Sequence, residues 1–328
     1  LFDEITVPGN GQIKCFINLS GNPVMSTPNG SELIDAFKQL DFFIGIDFSI
    51  NETNHHADII LPPVSPMERD HYDLVFNLFS VRNRGKYVKA PIRPERGTQQ
   101  DWQILAKLHD MLAKNDSYLD KLKNVIYKNM TPRGLLRLAC LKSPHKGLFR
   151  QLTERKSGID FGPLRPQFKE KIAKKFLKHR SGFINLIPDL FAKELQKLFL
   201  ENIEILENQY SLVGRRILDS NNSWVKPKNY DKNNRKDFYL HMNDSDALVA
   251  GIDFGEKVRV KGGTNEIVTI VKCDDEICPG VVSLPHGMAS FENNADVNCL
   301  TSRNRLDSIS YNAAFSGTVV TVEKYIES

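Results

Sequence analysis

Apolar positions near the start of the chain fall into short runs bounded by turn residues. Ile13 to Leu19 ends in Ser20-Gly21-Asn22-Pro23, and Phe42 to Phe48 forms a second run. Ala57 to Leu61 is a third, stopped by Pro62-Pro63 because proline cannot donate to a strand ladder. Runs of that length read as strands. Ser31 to Leu40 has helix character. Asp101 to Ala113 carries Trp102, Leu105, Leu108 and Leu112 three to four residues apart, a helix with Asp101 at its N-terminus. Residues 1–115 therefore read as α/β.

Residues 116–208 read as a helical connector. Leu135, Leu136 and Leu138, then Ile172, Phe176 and Leu177, then Leu190, Phe191, Leu195 and Leu198 mark three amphipathic stretches. A turn-rich loop, Ser157 to Leu164, separates the first two. From residue 209 the pattern changes to short strand-like runs: Phe238 to Met242, Lys257 to Lys261, Glu266 to Lys272, Gly280 to Leu284 and Thr318 to Val322. One short helix, Asn243 to Gly251, has a capping residue in front and glycine behind. Residues 209–328 thus read as a β-barrel. The most flexible stretch is expected at Lys226 to Lys236.

Composition narrows the class. The 328 residues are 41% hydrophobic and 26% charged, an ordinary globular balance, and no apolar run approaches the ~20 residues of a membrane span. The chain opens on Leu1 without a basic leader, which reads as a start inside a longer polypeptide, although a processed chain would look the same. Cys15, Cys140, Cys273, Cys278 and Cys299 show no Cys-x-x-Cys spacing, so they read as reduced thiols in a cytoplasmic setting, with a periplasmic one left open. Net charge is +4, yet Lys121 to Leu200 holds 19 Lys and Arg against 5 Asp and Glu. Those basic residues interleave with helix-period apolar ones and read as a solvated face. Nucleic-acid binding is the weaker alternative, because no recognition motif accompanies them.

Four segments carry candidate chemistry. Ser20, Gly21, Asn22 and Pro23 form a tight polar loop after a strand, the place where open α/β sheets bind ligands. Asp47 lies near a strand end, suited to accept from a ribose hydroxyl or a guanine edge, and Glu52 opens the next turn. His55, His56, Asp58, Glu68 and His71 tempt a metal reading, but adjacent histidines diverge and the spacing gives no convergent ligand set. In the C-terminal part, Gly214-Arg215-Arg216 precedes Ser220-Asn221-Asn222-Ser223-Trp224, a cation and paired amides matched to phosphate and a heteroaromatic ring. His286 follows in Pro279-Gly-Val-Val-Ser-Leu-Pro-His-Gly287, and Asn298 in Asn298-Cys-Leu-Thr301. A helix cap and a structural histidine are the bland readings of those two clusters. No catalytic triad and no glycine-rich phosphate-loop or dinucleotide fingerprint is present.

Together these motifs resemble the C-terminal half of the molybdopterin-dependent oxidoreductases of the dimethyl-sulfoxide-reductase and formate-dehydrogenase superfamily. Gly21-Asn22-Pro23 is similar to that family's Gly-Asn-Pro loop. Asp47, Asn51-Glu52-Thr53 and Ala57-Asp58-Ile-Ile-Leu-Pro62 are similar to its strand-end Asp and the signature after it, with Glu68 beyond. Gly214-Arg215, Ser220 to Trp224, the His286 segment, Asn298-x-Leu-Thr301 and Gly317 to Glu323 resemble its dinucleotide-binding barrel. The resemblance implies a partial Rossmann-like parallel-sheet domain, a helical connector and a double-psi β-barrel.

It further implies two copies of molybdopterin guanine dinucleotide with molybdenum or tungsten. Ser20 to Pro23, Asp47 and Asp58 would face the nucleotide, and Glu52 is counted among the cofactor-binding residues. Gly214, Arg215, Ser220 to Ser223, His286 and Asn298 would face the pterin and pyrophosphate. The metal ligand and the iron–sulfur cysteines of the family lie in its N-terminal half, so no catalytic residue is expected here. The implied partners are the N-terminal remainder of the same enzyme and electron-transfer subunits, with no nucleic acid. A non-catalytic nucleotide-binding or assembly module is the alternative.

Overall fold

The computed structural model describes residues 1–113, 117–163, 177, 181–200, 206, 208–218, 220–224, 238–288 and 296–326. The expected helical stretch at Ile172 and Phe176 and the Lys226 to Lys236 loop lie outside them. Two compact units form: one from Leu1–Gly45, Ile50–Ile60 and Ile187–Ser328, the other from Ile46–Ser49 and Leu61–Leu186.

The first unit opens with α1 (Phe2–Thr6), β1 (Cys15–Leu19), α2 (Pro23–Ser26), α3 (Gly30–Phe37), β2 (Phe42–Ile46) and β3 (Ile59–Ile60). The strands form a sheet in the order β1-β2-β3, with β2 and β3 parallel. Ile5, Leu33, Ala36, Phe37 and Phe43 are its buried core. The Phe16 ring lies 5.5 Å from that of Phe37 and 5.2 Å from that of Phe43. Gly30 starts α3 where the backbone of α2 passes close: a Cβ there would stand 1.7 Å from the Val24 carbonyl oxygen. No other residue fits that position without displacing the chain.

The second unit contains β4 (His71–Tyr72), β5 (Arg82–Gly85), β6 (Tyr87–Val88), α4 (Asp101–Leu112), α5 (Tyr118–Asn129), α6 (Pro132–Leu141), α7 (Leu148–Glu154) and β7 (Ile159–Pro163). Tyr87, Leu136, Cys140 and Leu152 form its core. Most of the stretch expected to be a turn-rich loop is β7, paired antiparallel with β5. The Asp160 carboxylate explains the pairing, since it meets Arg82 at 2.7 Å and Arg84 at 3.3 Å.

The chain then returns to the first unit through α8 (Asp189–Leu200). There follow β8 (Gln209–Arg215), β9 (Tyr239–Met242), α9 (Asp244–Val249), β10 (Lys257–Gly262), β11 (Asn265–Cys273), β12 (Val281–Pro285) and β13 (Thr318–Lys324). These six strands close into a barrel in the order β10-β11-β9-β12-β8-β13. β8 with β12, and β9 with β11, pair in parallel; the other four pairs are antiparallel. Alternation along each strand sends Leu212, Leu240, Val260, Ile267, Val282 and Leu284 inward to full burial. Each such side chain contributes about 1.5–3 kcal/mol of transfer free energy. Among the described residues no helix is long and apolar enough to cross a membrane.

Candidate functional site

A cleft of about 480 Å³ opens at one end of the barrel, where the loop after β1 meets the segments that follow β8 and β12. The sequence-selected Gly21, Asn22, Gly214, Asn222, Ser223, His286 and Asn298 line it. Gly214 is on β8 and aligns with Leu284 of β12, so one ladder fixes the floor. A Cβ built on Gly214 meets no heavy atom within 4 Å. Gly287 sits at φ +79°, and a Cβ on it would fall 2.2 Å from the Asn222 carbonyl oxygen. Only glycine lets the two loops approach that closely.

The Asp296 carboxylate braces this wall. It is buried and accepts the Gly287 amide at 3.0 Å and the Asn298 amide at 2.9 Å. The Asn298 side-chain amide donates to the Met25 carbonyl at 2.6 Å, and its own carbonyl accepts the Asn29 amide at 2.9 Å. Asn298 thereby ties the barrel to the loop that carries α2.

The Asn22 side chain turns to the segment after β2. Its Nδ2 donates to Glu52 Oε2 at 2.7 Å and its Oδ1 accepts from Thr53 Oγ1 at 2.8 Å. Thr53 Oγ1 also accepts the Val24 amide at 3.0 Å, and Asn18 Nδ2 donates to the Gly21 carbonyl at 2.8 Å. These bonds fix the loop from Gly21 to Val24 against the turn that carries Glu52 and Thr53. Glu52 thus reaches the cleft through Asn22.

Other selected residues stand elsewhere. Ser20 takes a left-handed φ of +50°, and Pro23 is the first residue of α2. Asp58 accepts the Phe43 amide at 2.7 Å, tying β2 to the turn before β3. Asp47 is buried at the end of β2 and accepts the Ser49 amide at 3.3 Å. Ser220 Oγ donates to the Ile217 carbonyl at 2.9 Å, and the exposed Asn221 accepts the Trp224 amide on its carbonyl at 3.0 Å. Arg215 points to Asp274, 3.7 Å away, and Asp274 holds His241 Nδ1 at 2.8 Å.

The cation on the cleft is Arg216, which is hydrogen-bonded to Asn222 Oδ1. Trp224, Phe315, Ser26 and Ser316 complete the walls. Trp224 was visible as the end of the Ser220 motif; Phe315 had no sequence signal. Among the described residues no Asp or Glu lines the cleft. Burial pushes the His286 imidazole below its ordinary pKa, and the nearby Arg216 charge adds to this. His286 is therefore neutral at pH 7, one ring nitrogen donating and the other accepting. One cation, a neutral imidazole, hydroxyls, amides and two aromatic faces suit an anionic ligand with a flat, hydrogen-bonding ring.

Of the residues that tempted a metal reading, His55 and His56 stand side by side in a 3₁₀ turn, ring centroids 3.7 Å apart, and Glu68 caps its own turn through the Ser65 amide at 2.9 Å. Among the described residues no group of three His, Cys, Asp or Glu side chains is placed to hold a metal. All five cysteines are free thiols.

Residues 2–111 match the molybdopterin oxidoreductase family and residues 210–319 match the molydopterin dinucleotide binding domain. The F420-dependent formate dehydrogenase subunit alpha of Methanocaldococcus jannaschii is 24% identical over 283 residues, 83% of this chain and 38% of the relative. A dimethyl sulfoxide/trimethylamine N-oxide reductase of Rhodobacter capsulatus is 22% identical over 84% of this chain and 36% of its own length. The chain spans less than half the length of these relatives. Acetylene hydratase from Pelobacter acetylenicus superposes with a TM-score of 0.67 at 14% identity, covering 99% of this chain and 46% of that one, a likeness of fold alone.

Proposed function

Because this chain belongs to the molybdopterin oxidoreductases and carries their dinucleotide-binding domain, we propose that the cleft holds a molybdopterin guanine dinucleotide. The complete enzyme would bind two copies with molybdenum or tungsten and run a two-electron, formate-dehydrogenase-like redox reaction. The observation that carries the reading is a cleft with Arg216, His286, Trp224 and Phe315 on its walls and no Asp or Glu among its described lining residues. The matched ranges also support a division into an α/β part (1–115), a helical connector (116–208) and a barrel (209–328), read as double-psi.

The donor set fits the group. Arg216 would meet a phosphate oxygen, and the amides and hydroxyls of Asn222, Ser223, Ser26 and Ser316 would satisfy a pterin or pyrophosphate edge. Gly214 leaves the space a ring needs. Asn298 and Asp296 hold the two walls at fixed separation, and Asn22 with Glu52 holds the Gly21 backbone against the third side. When bound, the cofactor supplies the electron and proton chemistry of its metal; these residues orient it and exclude water. Partners would be the rest of the polypeptide and electron-transfer subunits, in line with relatives named as alpha subunits.

The test is metal analysis with pterin fluorescence on purified protein from a host that makes the cofactor. Bound pterin with stoichiometric molybdenum or tungsten is expected. A well-folded preparation with neither metal nor pterin overturns the proposal.

A further inference from the structure

Between the two matched segments, in the second unit, lies a cavity of about 620 Å³ that the cofactor reading does not use. It is formed by α6, α7 and the turn between them. Cys140, Leu148 and Phe149 supply apolar surface, and Arg137, His145, Lys146 and Arg150 stand around it. The Arg133 guanidinium lies 5.8 Å from the centre of the Phe149 ring and adds to the charge there. Among the described residues no Asp or Glu lines the cavity. Glu154 pairs with Arg150 at 2.8 Å, whereas Arg137 and Lys146 have no carboxylate partner among the described residues.

A solvated basic face would spread its charges apart. Here Arg137, Lys146 and Arg150, exposed side chains from a helix, a turn and a second helix, line one concavity, and like charges around it repel one another. An anion between them removes that cost. The volume falls within the ~300–1,000 Å³ of small-molecule sites. Within this unit the described stretch Lys121 to Pro163 carries 10 Lys and Arg against 2 Asp and Glu, a local excess that draws anions. Phe149 offers a flat apolar surface next to the cations.

We propose that this pocket binds a phosphate-bearing ligand, with the phosphate on Arg137 and Lys146 and any attached ring on Phe149. The site is separate from the cofactor cleft and makes no use of its residues.

The test is hydrogen–deuterium exchange on the whole chain at ~0.15 M salt, where long-range attraction is screened, titrated with pyrophosphate and with ADP. Saturable slowing of exchange across 142–150 is expected. The double variant Arg137→Ala/Lys146→Ala, both exposed positions, should lose about tenfold or more in affinity for either probe. Tighter ADP than pyrophosphate binding places a ring on Phe149; equal affinities mark a phosphate-only site. No protection with either probe, or protection unchanged in a folded double variant, overturns the proposal. Exchange in the cofactor cleft is read in the same spectra, so this result stands apart from that of the metal and pterin analysis.

Discussion

Replacing Asp296 by alanine should loosen the cleft more than any other single polar change. Its carboxylate is 5% exposed and accepts two backbone amides, Gly287 at 3.0 Å and Asn298 at 2.9 Å. A hydrogen bond to a charged group contributes about 1.5–3 kcal/mol, and a buried donor left without a partner costs a similar amount. Allowing for partial rescue by water, the loss comes to roughly 3–5 kcal/mol, a large share of the ~5–15 kcal/mol that stabilises a typical domain. At about 2–4 °C per kcal/mol, thermal denaturation should shift down by roughly 6–20 °C. Asp296→Asn keeps one acceptor oxygen but turns an NH₂ group toward the other amide, so it should fall between alanine and wild type. Differential scanning calorimetry on the three proteins reads the series. An alanine variant within about 1 °C of wild type would refute the reasoning, because two buried amides cannot lose a shared charged acceptor at no cost.

Asn22→Ala should cost about 1–3 kcal/mol, since it strips partners from Glu52 and Thr53 at once; Thr53→Ala should be non-additive with it in urea denaturation. Gly287→Ala forces a Cβ against the Asn222 carbonyl at a left-handed φ, and should lower the melting temperature while Gly280→Ala, with open space around it, does so less. Burial lowers the pKa of His241 and of His286. Below the ordinary histidine pKa of 6.5 the unfolded chain therefore takes up protons that the folded chain refuses, and stability falls as pH drops through that value toward the folded pKa. His241→Gln should flatten this slope in denaturation curves between pH 7 and 5. An anion bound beside Arg216 should raise the His286 pKa, read by NMR titration of the imidazole.

How much of this was legible varies with the range of the interaction. The barrel strands from β9 onward and the helix at Asp244 were readable, because alternation and capping are local properties of Leu240, Val258, Val260 and Asn243. β8 was not singled out: Val213 on the outer face and Gly214 on the inner one blur its alternation, and its partners β12 and β13 lie far along the chain. β4 and β6, two residues each, carry no period at all and exist through their mutual pairing. The Gly21-Asn22-Pro23 loop was legible as a ligand loop, but the use of the Asn22 amide was not, since it depends on Glu52 and Thr53. Arg215 and Arg216 show the limit most sharply. Register sends the side chain of Arg215 to Asp274 and leaves Arg216, the next residue, on the cleft; one position changes the face, and composition is blind to it.

The proposed occupant of the cleft at the mouth of the barrel is a molybdopterin dinucleotide. Gly214→Val is the sharpest test, because a Cβ there enters open space on the cleft with no heavy atom within 4 Å. Pterin released from purified variant and wild type, quantified by fluorescence after oxidation, is the measurement. The expected variant melts within about 2 °C of wild type, in line with a cost below ~1 kcal/mol, and carries little or no pterin. A folded variant with the wild-type pterin content would place the cofactor elsewhere and contradict the account.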